Sequence, residues 1–305
     1  MITYVYGDMF YSPARVLVNP VNTVGAMGAG LANDFKRFFP DMYEIYRDIC
    51  HDDRLDTGEL LLYRTSHKWI LNFPTKRHFR ASSKLEYIEE GLKKFALIYT
   101  ENDITSVSFP ALGTGNGGLD WEDVRPVMEA YLSPLPISVF IHHYSDQTRF
   151  AEKNRNTRAI KKWLNGQPDI ESFEPFWRAL RRIGRKDDNL RTFTTGMQFQ
   201  IATTAASGRQ RISLKISPKR GASIFVPETQ LRDLWHYIRR AGYILPHNLP
   251  AGLEEHADYI VALLAQLPTL RPVELAAVNM EPVIGLHYIP PVAAAEAAQV
   301  VQLTS

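Results

Sequence analysis

Val16-Leu17-Val18-Asn19-Pro20-Val21-Asn22-Thr23-Val24-Gly25-Ala26-Met27-Gly28-Ala29-Gly30-Leu31 is the stretch on which the fold turns. An apolar run from Arg15 to Val18 reads as a buried strand ending in Asn19-Pro20-Val21-Asn22, and a glycine-rich loop, Gly25 to Gly30, follows it. From Leu31 onward the apolar residues Phe35, Phe38, Met42, Ile45, Tyr46 and Ile49 recur at helical spacing, with Pro40 as a break. Strand, glycine loop and helix in that order put backbone N–H groups and a helix N-terminus at one strand end, where phosphate oxygens can be held.

The same grammar repeats along the first half. Ile2–Tyr6, 58–63, Trp69–Phe73, 106–109 and 137–142 read as strands, and helices are expected after Ser82 or Ser83 and over 120–132. Strands alternating with amphipathic helices predict a largely parallel α/β sheet covered on both faces. A second loop, Gly113-Thr114-Gly115-Asn116-Gly117-Gly118, again joins a strand to a helix, so a diphosphate gripped from two sides is the ligand the pattern suits. Neither loop ends in the Gly-Lys-Ser/Thr of a P-loop. The dinucleotide fingerprint is also absent, because strand one ends in Gly7-Asp8-Met9.

Composition narrows the class further. The 305 residues carry a net charge of +2, which singles out neither nucleic acid nor membrane as partner. Cys50 is the only cysteine, which excludes a disulfide framework and a cysteine-rich metal site, and no cofactor or metal is called for. The start, MITYVYGDMF, lacks the basic and apolar regions of a signal peptide, and no stretch nears the ~20 apolar residues of a membrane span. A cytoplasmic protein is expected.

Gly7-Asp8-Met9, Val18-Asn19-Pro20-Val21-Asn22, the loop to Gly30 and Pro110-Ala111-Leu112-Gly113-Thr114-Gly115 together resemble the macrodomain pattern, over roughly residues 1–150. The resemblance implies a three-layer α/β/α fold with an ADP-ribose cleft. Asp8 would then accept a hydrogen bond from the adenine amine and Asn22 would face the distal ribose. The diphosphate would lie between Gly28, Gly30 and Leu31 on one side and Gly113, Thr114, Gly115, Asn116, Gly117 and Gly118 on the other, with Met9 and Asn19 beside the site. Read by themselves, Asp8 could be a solvated turn residue, and Asn19 and Asn22 plain turn formers around Pro20.

Within that family Asn72-Phe73-Pro74-Thr75-Lys76-Arg77-His78-Phe79-Arg80 resembles the branch containing the terminal ADP-ribose glycohydrolase and the DarG antitoxins. The resemblance places the catalytic lysine at Lys76. Such an amine, once neutral, can attack an anomeric carbon; charged, it can stabilise a leaving group. An aspartate that the terminal glycohydrolase carries in the second loop is matched here by Gly117, which favours the DarG-like version. That version implies ADP-ribosylated single-stranded DNA as substrate, ADP-ribose as product and a DarT-like ADP-ribosyltransferase toxin as partner. Glycohydrolysis of protein or RNA adducts and non-catalytic reading of ADP-ribose are the alternatives. Lys76, Arg77, His78, Arg80 and Lys84 are expected to attract DNA phosphates, Phe79 to stack on a base, and Trp121 to be a packing residue.

Residues 151–170 read as a connecting region and 171–305 as a smaller α+β C-terminal domain. Phe173, Phe176, Trp177, Leu180 and Ile183 mark a helix. Strands are expected over 193–203, 211–216 and 222–226, then helices over 228–240 and 254–267. Arg209, Arg211, Lys215, Lys219 and Arg220 make the hairpin region basic. By architecture alone this half resembles a toxin-binding domain; nucleic-acid binding and dimerisation rank behind.

Overall fold

A computed structural model of the chain describes residues 2–143, 156–168, 172–186, 190–205, 212–219, 222–293 and 299–303. Two units are distinguished, residues 1–168 together with 292–305, and residues 169–291.

In the first unit the chain runs β1 (Ile2–Tyr6), a 3-10 turn (Met9–Tyr11), β2 (Val16–Asn22), α1 (Gly30–Phe38), α2 (Pro40–His51), β3 (Leu60–Arg64) and β4 (Trp69–Lys76). It continues through α3 (Leu85–Ile98), β5 (Ser106–Pro110), α4 (Trp121–Leu132), β6 (Ser138–His142) and α5 (Thr157–Asn165). The strand order is β1-β6-β5-β2-β4-β3. Five of these strands pair parallel, and β3 pairs antiparallel with β4. A final strand, Gln299–Leu303, pairs antiparallel with β3.

Every residue of β4 after Trp69 is buried, and β2 is buried at all positions but Pro20, so helices cover both faces of the sheet. On one side Phe10 meets Phe35 and Phe38 of α1, with ring centroids 4.7 and 4.8 Å apart. On the other, Gly91 of α3 sits where a Cβ would lie 2.2 Å from the Phe73 ring, so only glycine lets this helix approach β4 so closely. Pro40 starts α2 at its first turn, a position where its missing N–H costs nothing, so the helical pattern divides into two helices at the expected break.

The foot of the sheet is closed by α5. Asn156 caps it by accepting from Ala159 N–H at 3.0 Å, and Ile160, Trp163 and Leu164 are buried. Trp163 packs edge-on to His67, and its ring lies 5.2 Å from Nζ of Lys68, which is fully buried in the turn before β4. That ammonium donates to the carbonyls of Ser12 (2.7 Å) and Ala14 (2.5 Å). Burial pushes the Lys68 pKa down to about 7 and that of His67 to about 3.

The second unit is α+β. The first unit's two-residue β7 (Gln167–Pro168) precedes it; after α6 (Phe173–Lys186) come β8 (Leu190–Arg191), β9 (Gln198–Ala205), β10 (Ile212–Pro218) and β11 (Ile224–Pro227), an antiparallel sheet. Then α7 (Glu228–Ala241), β12 (Tyr243–Ile244), α8 (Ala257–Leu264), β13 (Leu270–Ala277) and β14 (Val283–Tyr288) follow, the three strands pairing in the order β12-β14-β13. Trp235 of α7 is 1% exposed and stacks on Phe176 of α6 at 4.4 Å, joining two amphipathic helices in one core. The β13–β14 hairpin was not among the expected strands. Of the basic hairpin residues, Arg209, Arg211 and Arg220 lie outside the described residues, as do 151–155 and 169–170 of the connecting region. Among the described residues no helix is long and apolar enough to cross a membrane.

Candidate functional site

Both glycine loops open onto one cavity of about 800 Å³ at the C-terminal ends of the parallel strands, where open α/β sheets bind ligands. The volume is in the range of small-molecule sites. The first loop is shaped from β2. Asn22 Oδ1 accepts from the N–H groups of Val24 and Ala26, both at 3.1 Å, and Nδ2 donates to Ala26 O at 2.6 Å. Tyr46 donates its hydroxyl to Asn22 O at 2.5 Å, pinning the strand end to α2. Asn22 therefore lines the cavity while its amide braces the loop. Gly30 has a φ of +56°, and a Cβ there would stand 2.8 Å from the Asn116 amide nitrogen of the opposite loop. Beyond it α1 starts without a side-chain cap, so its first-turn N–H groups remain for an anion.

The second loop closes on itself. Leu119 N–H donates to Gly113 O at 3.0 Å, and Ser83 N–H to Gly117 O at 2.8 Å. A Cβ on Gly117 would lie 2.2 Å from Gly113 O and 2.4 Å from Ser83 Oγ, so no side chain, aspartate included, fits there with this loop shape. Asp8, on the cavity wall, caps the turn after β1 by accepting from Phe10 N–H at 3.0 Å.

Lys76 is the last residue of β4. The strand runs three residues past Phe73, so the lysine ends the strand rather than following it. Its register against β2 is irregular: Val21 pairs with Pro74 and Asn22 with Lys76, a bulge that skips Thr75. Bulges re-aim side chains. Here the Lys76 amine lines the cavity beside the first loop and donates to Asn116 O of the second at 2.7 Å. Only 8% of the residue is exposed, and burial lowers the amine's pKa below the usual lysine range.

Relatives are found for this unit. The family model "Macro domain" matches residues 18–128. The "DNA ADP-ribosyl glycohydrolase" of Mycobacterium tuberculosis is 44% identical over 189 residues, 57% of this chain and 54% of that protein. A "DNA ADP-ribosyl transferase-DNA ADP-ribosyl glycohydrolase fusion protein" of Thermosipho africanus is 39% identical over 160 residues, 46% of this chain and 41% of that one. The solved "Macrodomain of Mycobacterium tuberculosis DarG" shares 43% identity, covering 48% of this chain and 99% of that structure, with a TM-score of 0.46. The first unit is a DarG-like macrodomain. The chain spans about half the length of the curated relatives it matches.

Most of the expected ligand residues lie together on the macrodomain's cavity: Asp8, Met9, Asn22, Gly28, Gly30, Leu31, Lys76 and the loop from Gly113 through Gly117. Asn19 and Gly118 do not line it. Asn19 is paired with Asn72 in the β2–β4 register, and its amide donates to Asn72 Oδ1 at 2.9 Å inside a sheet covered on both faces. Gly118 turns the backbone at a φ of +75° behind the loop, its N–H donating to Gly115 O.

Sequence reasoning missed the far wall, made by Tyr6, His142 and His143. His143 stacks on Tyr6 at 5.6 Å and packs against Trp121 at 4.5 Å, which gives that tryptophan a packing role. His142 is buried, which pushes its pKa down to about 3 and keeps it neutral. Its Nδ1 lies 3.3 Å from Gly7 O, and a carbonyl only accepts, so the single proton sits on Nδ1. Nε2 then accepts from Ser108 Oγ at 3.4 Å, and Ser108 is bonded to Ser12 at 2.5 Å. This chain fixes the carbonyl next to Asp8. Their place at the C-terminal end of β6 was the available signal, because a parallel sheet binds ligands outside that end of its strands.

Proposed function

We propose that the macrodomain hydrolyses the bond between ADP-ribose and a nucleobase of single-stranded DNA, with Lys76 as the catalytic residue. The observation that carries this reading is the placement of a buried, desolvated amine at the edge of a cavity of small-molecule size, between two glycine loops. Asp8 reads the adenine amine as a donor, which selects adenine over guanine. The loops and the first turn of α1 hold the diphosphate.

The lowered pKa of Lys76 favours the nucleophilic role, because it raises the share of neutral amine at a given pH. The Nζ lone pair forms a bond to the anomeric carbon as the bond from that carbon to the base breaks. The base leaves with a proton, and water then cleaves the lysine adduct, returning the amine and releasing ADP-ribose. The sum is one water consumed per base restored. Gly117 leaves no room for a carboxylate in the second loop, which supports a mechanism resting on the lysine.

The second unit is proposed to bind a DarT-like ADP-ribosyltransferase toxin, making the chain an antitoxin. Support comes from the Thermosipho relative, whose name joins a transferase and a glycohydrolase in one chain. Co-purification of such a transferase with residues 169–291 is the expected result; retention by the macrodomain alone would overturn this division of labour.

The activity is tested by a time course on an ADP-ribosylated single-stranded oligonucleotide, followed as return of the unmodified gel mobility. Turnover is expected. Turnover of ADP-ribosylated protein with none on DNA would move the chain to the protein-adduct class, and binding of ADP-ribose without any turnover would make it a reader.

A further inference from the structure

Three residues beyond Lys76 the chain makes a turn at the cavity edge, closed by Ala81 N–H donating to His78 O at 3.0 Å. Phe79 lines the cavity and yet is 50% exposed. It does not stand alone. The His78 imidazole stacks on it with ring centroids 4.3 Å apart and 29° between planes, and the Arg80 guanidinium lies 5.4 Å from its centroid. Arg80 N–H donates to His78 Nδ1 at 3.2 Å, tying the two flanking residues together. A phenyl ring braced in this way presents a fixed aromatic surface with a cation beside it.

Of the neighbouring cations Arg77 differs from Arg80, while Lys84 resembles it. Arg77 is held by both oxygens of Asp56, at 3.2 and 3.1 Å, and Lys84 lies over Tyr87 at 5.4 Å. Among the described residues Arg80 pairs with no carboxylate. A ring plus an unneutralised cation at the exit of a cavity suits a ligand that is planar and carries phosphate, since every base has a face to stack and every linkage a charge to meet. A polypeptide offers such a face only where it happens to carry an aromatic.

We propose that His78, Phe79 and Arg80 form a stacking platform for the nucleotide adjoining the modified one in a single-stranded nucleic acid, with Phe79 as the specificity-determining residue. The platform rests on the reading of the cavity as a site for ADP-ribosylated DNA, and it extends that reading from the adduct to the strand that carries it. Arg80 meets a phosphate of the same strand.

The full-length chain carries the test, in two arms. In the first, anisotropy follows a labelled, unmodified ten-nucleotide thymidine strand. Phe79→Ala should weaken binding roughly fivefold to a hundredfold, the span of a base-on-aromatic contact, while Phe79→Trp keeps it. Raising the salt should weaken wild type more than Arg80→Gln. In the second, ADP-ribosylated oligonucleotide is compared with the same adduct on a single nucleoside. Phe79→Ala should raise KM for the oligonucleotide several-fold more than KM for the nucleoside adduct. Strand binding that depends on Phe79 without release of ADP-ribose would keep the platform and sink the glycohydrolase reading. Turnover of the oligonucleotide by Phe79→Ala at the wild-type KM, or an equal loss on both substrates, would overturn the platform.

Discussion

The strand β4 has a lysine at each end, and the two have little in common beyond burial. Lys68, just before the strand, is wholly enclosed, gives its protons to two backbone carbonyls and lies against Trp163. Lys76, its last residue, gives one to Asn116 O and otherwise faces a cavity. Burial lowers both pKa values, that of Lys68 to about 7. A depressed lysine pKa does not by itself mark a catalytic residue in this molecule; access to a ligand-sized space is what separates the two. The more perturbed lysine is the one that cannot reach a substrate.

The largest effect should come from exchanging these roles. Lys76→Ala should cut release of ADP-ribose from modified DNA by at least about 10²–10⁴-fold, while calorimetry shows ADP-ribose binding little changed, because the loops and Asp8 are untouched. Lys68→Met should leave turnover close to wild type. Equal losses in the two variants would dissolve the contrast and point to a stability effect in both.

A smaller loss is expected from Gly117→Ala. The new Cβ meets Gly113 O and Ser83 Oγ within 2.4 Å, so the second loop must shift, carrying with it the carbonyl that holds Lys76. ADP-ribose affinity should fall roughly tenfold or more while the thermal midpoint moves by only a few degrees. Unchanged affinity would mean that the loop does not hold the ligand.

The mildest effect is on stability against pH. Lys68 has a folded pKa near 7 against 10.5 for an ordinary lysine, so between those values the unfolded chain binds the extra proton and stability rises with pH. Lys68→Met should flatten that rise in melting experiments. His67 and His142, both near 3 when folded against 6.5, act in the acid range: stability should fall as pH drops below about 6.5. A wild-type midpoint that is flat from pH 7 to 10 would contradict the lowered pKa of Lys68.

How much of this could be read beforehand follows the same division. Gly28, Gly30 and Gly113 through Gly117 were legible as parts of cavity-lining loops, because a glycine-rich run between strand and helix marks where backbone can approach a ligand, and that is written in residue type. Lys76 was legible through its resemblance to a family segment, not from spacing. Asn19 read like its neighbour Asn22, yet it points into a sheet covered on both faces, where parity does not announce which side holds a ligand. Lys68 sits in Thr65-Ser66-His67-Lys68, which has the composition of an exposed turn; its cover includes Trp163 of α5, about 90 residues later, and the segment of Ser12 and Ala14. His142 and His143 close a strand that the reading did find, but their partners Gly7, Ser108 and Tyr6 come from other strands. The β13–β14 hairpin was missed because Arg271, Pro272, Glu274 and the Pro282–Gly285 region break the alternation that marks a strand.

The bond from Lys76 ends on a main-chain oxygen, and this has a genetic consequence. A side-chain acceptor can be lost by one change in one codon. The carbonyl of residue 116 is present whatever amino acid that codon specifies, so drift at the position can alter the loop's contacts without deleting the lysine's partner. Selection on the pair should therefore fall on the shape of the loop, through its glycines, and only weakly on the identity of residue 116.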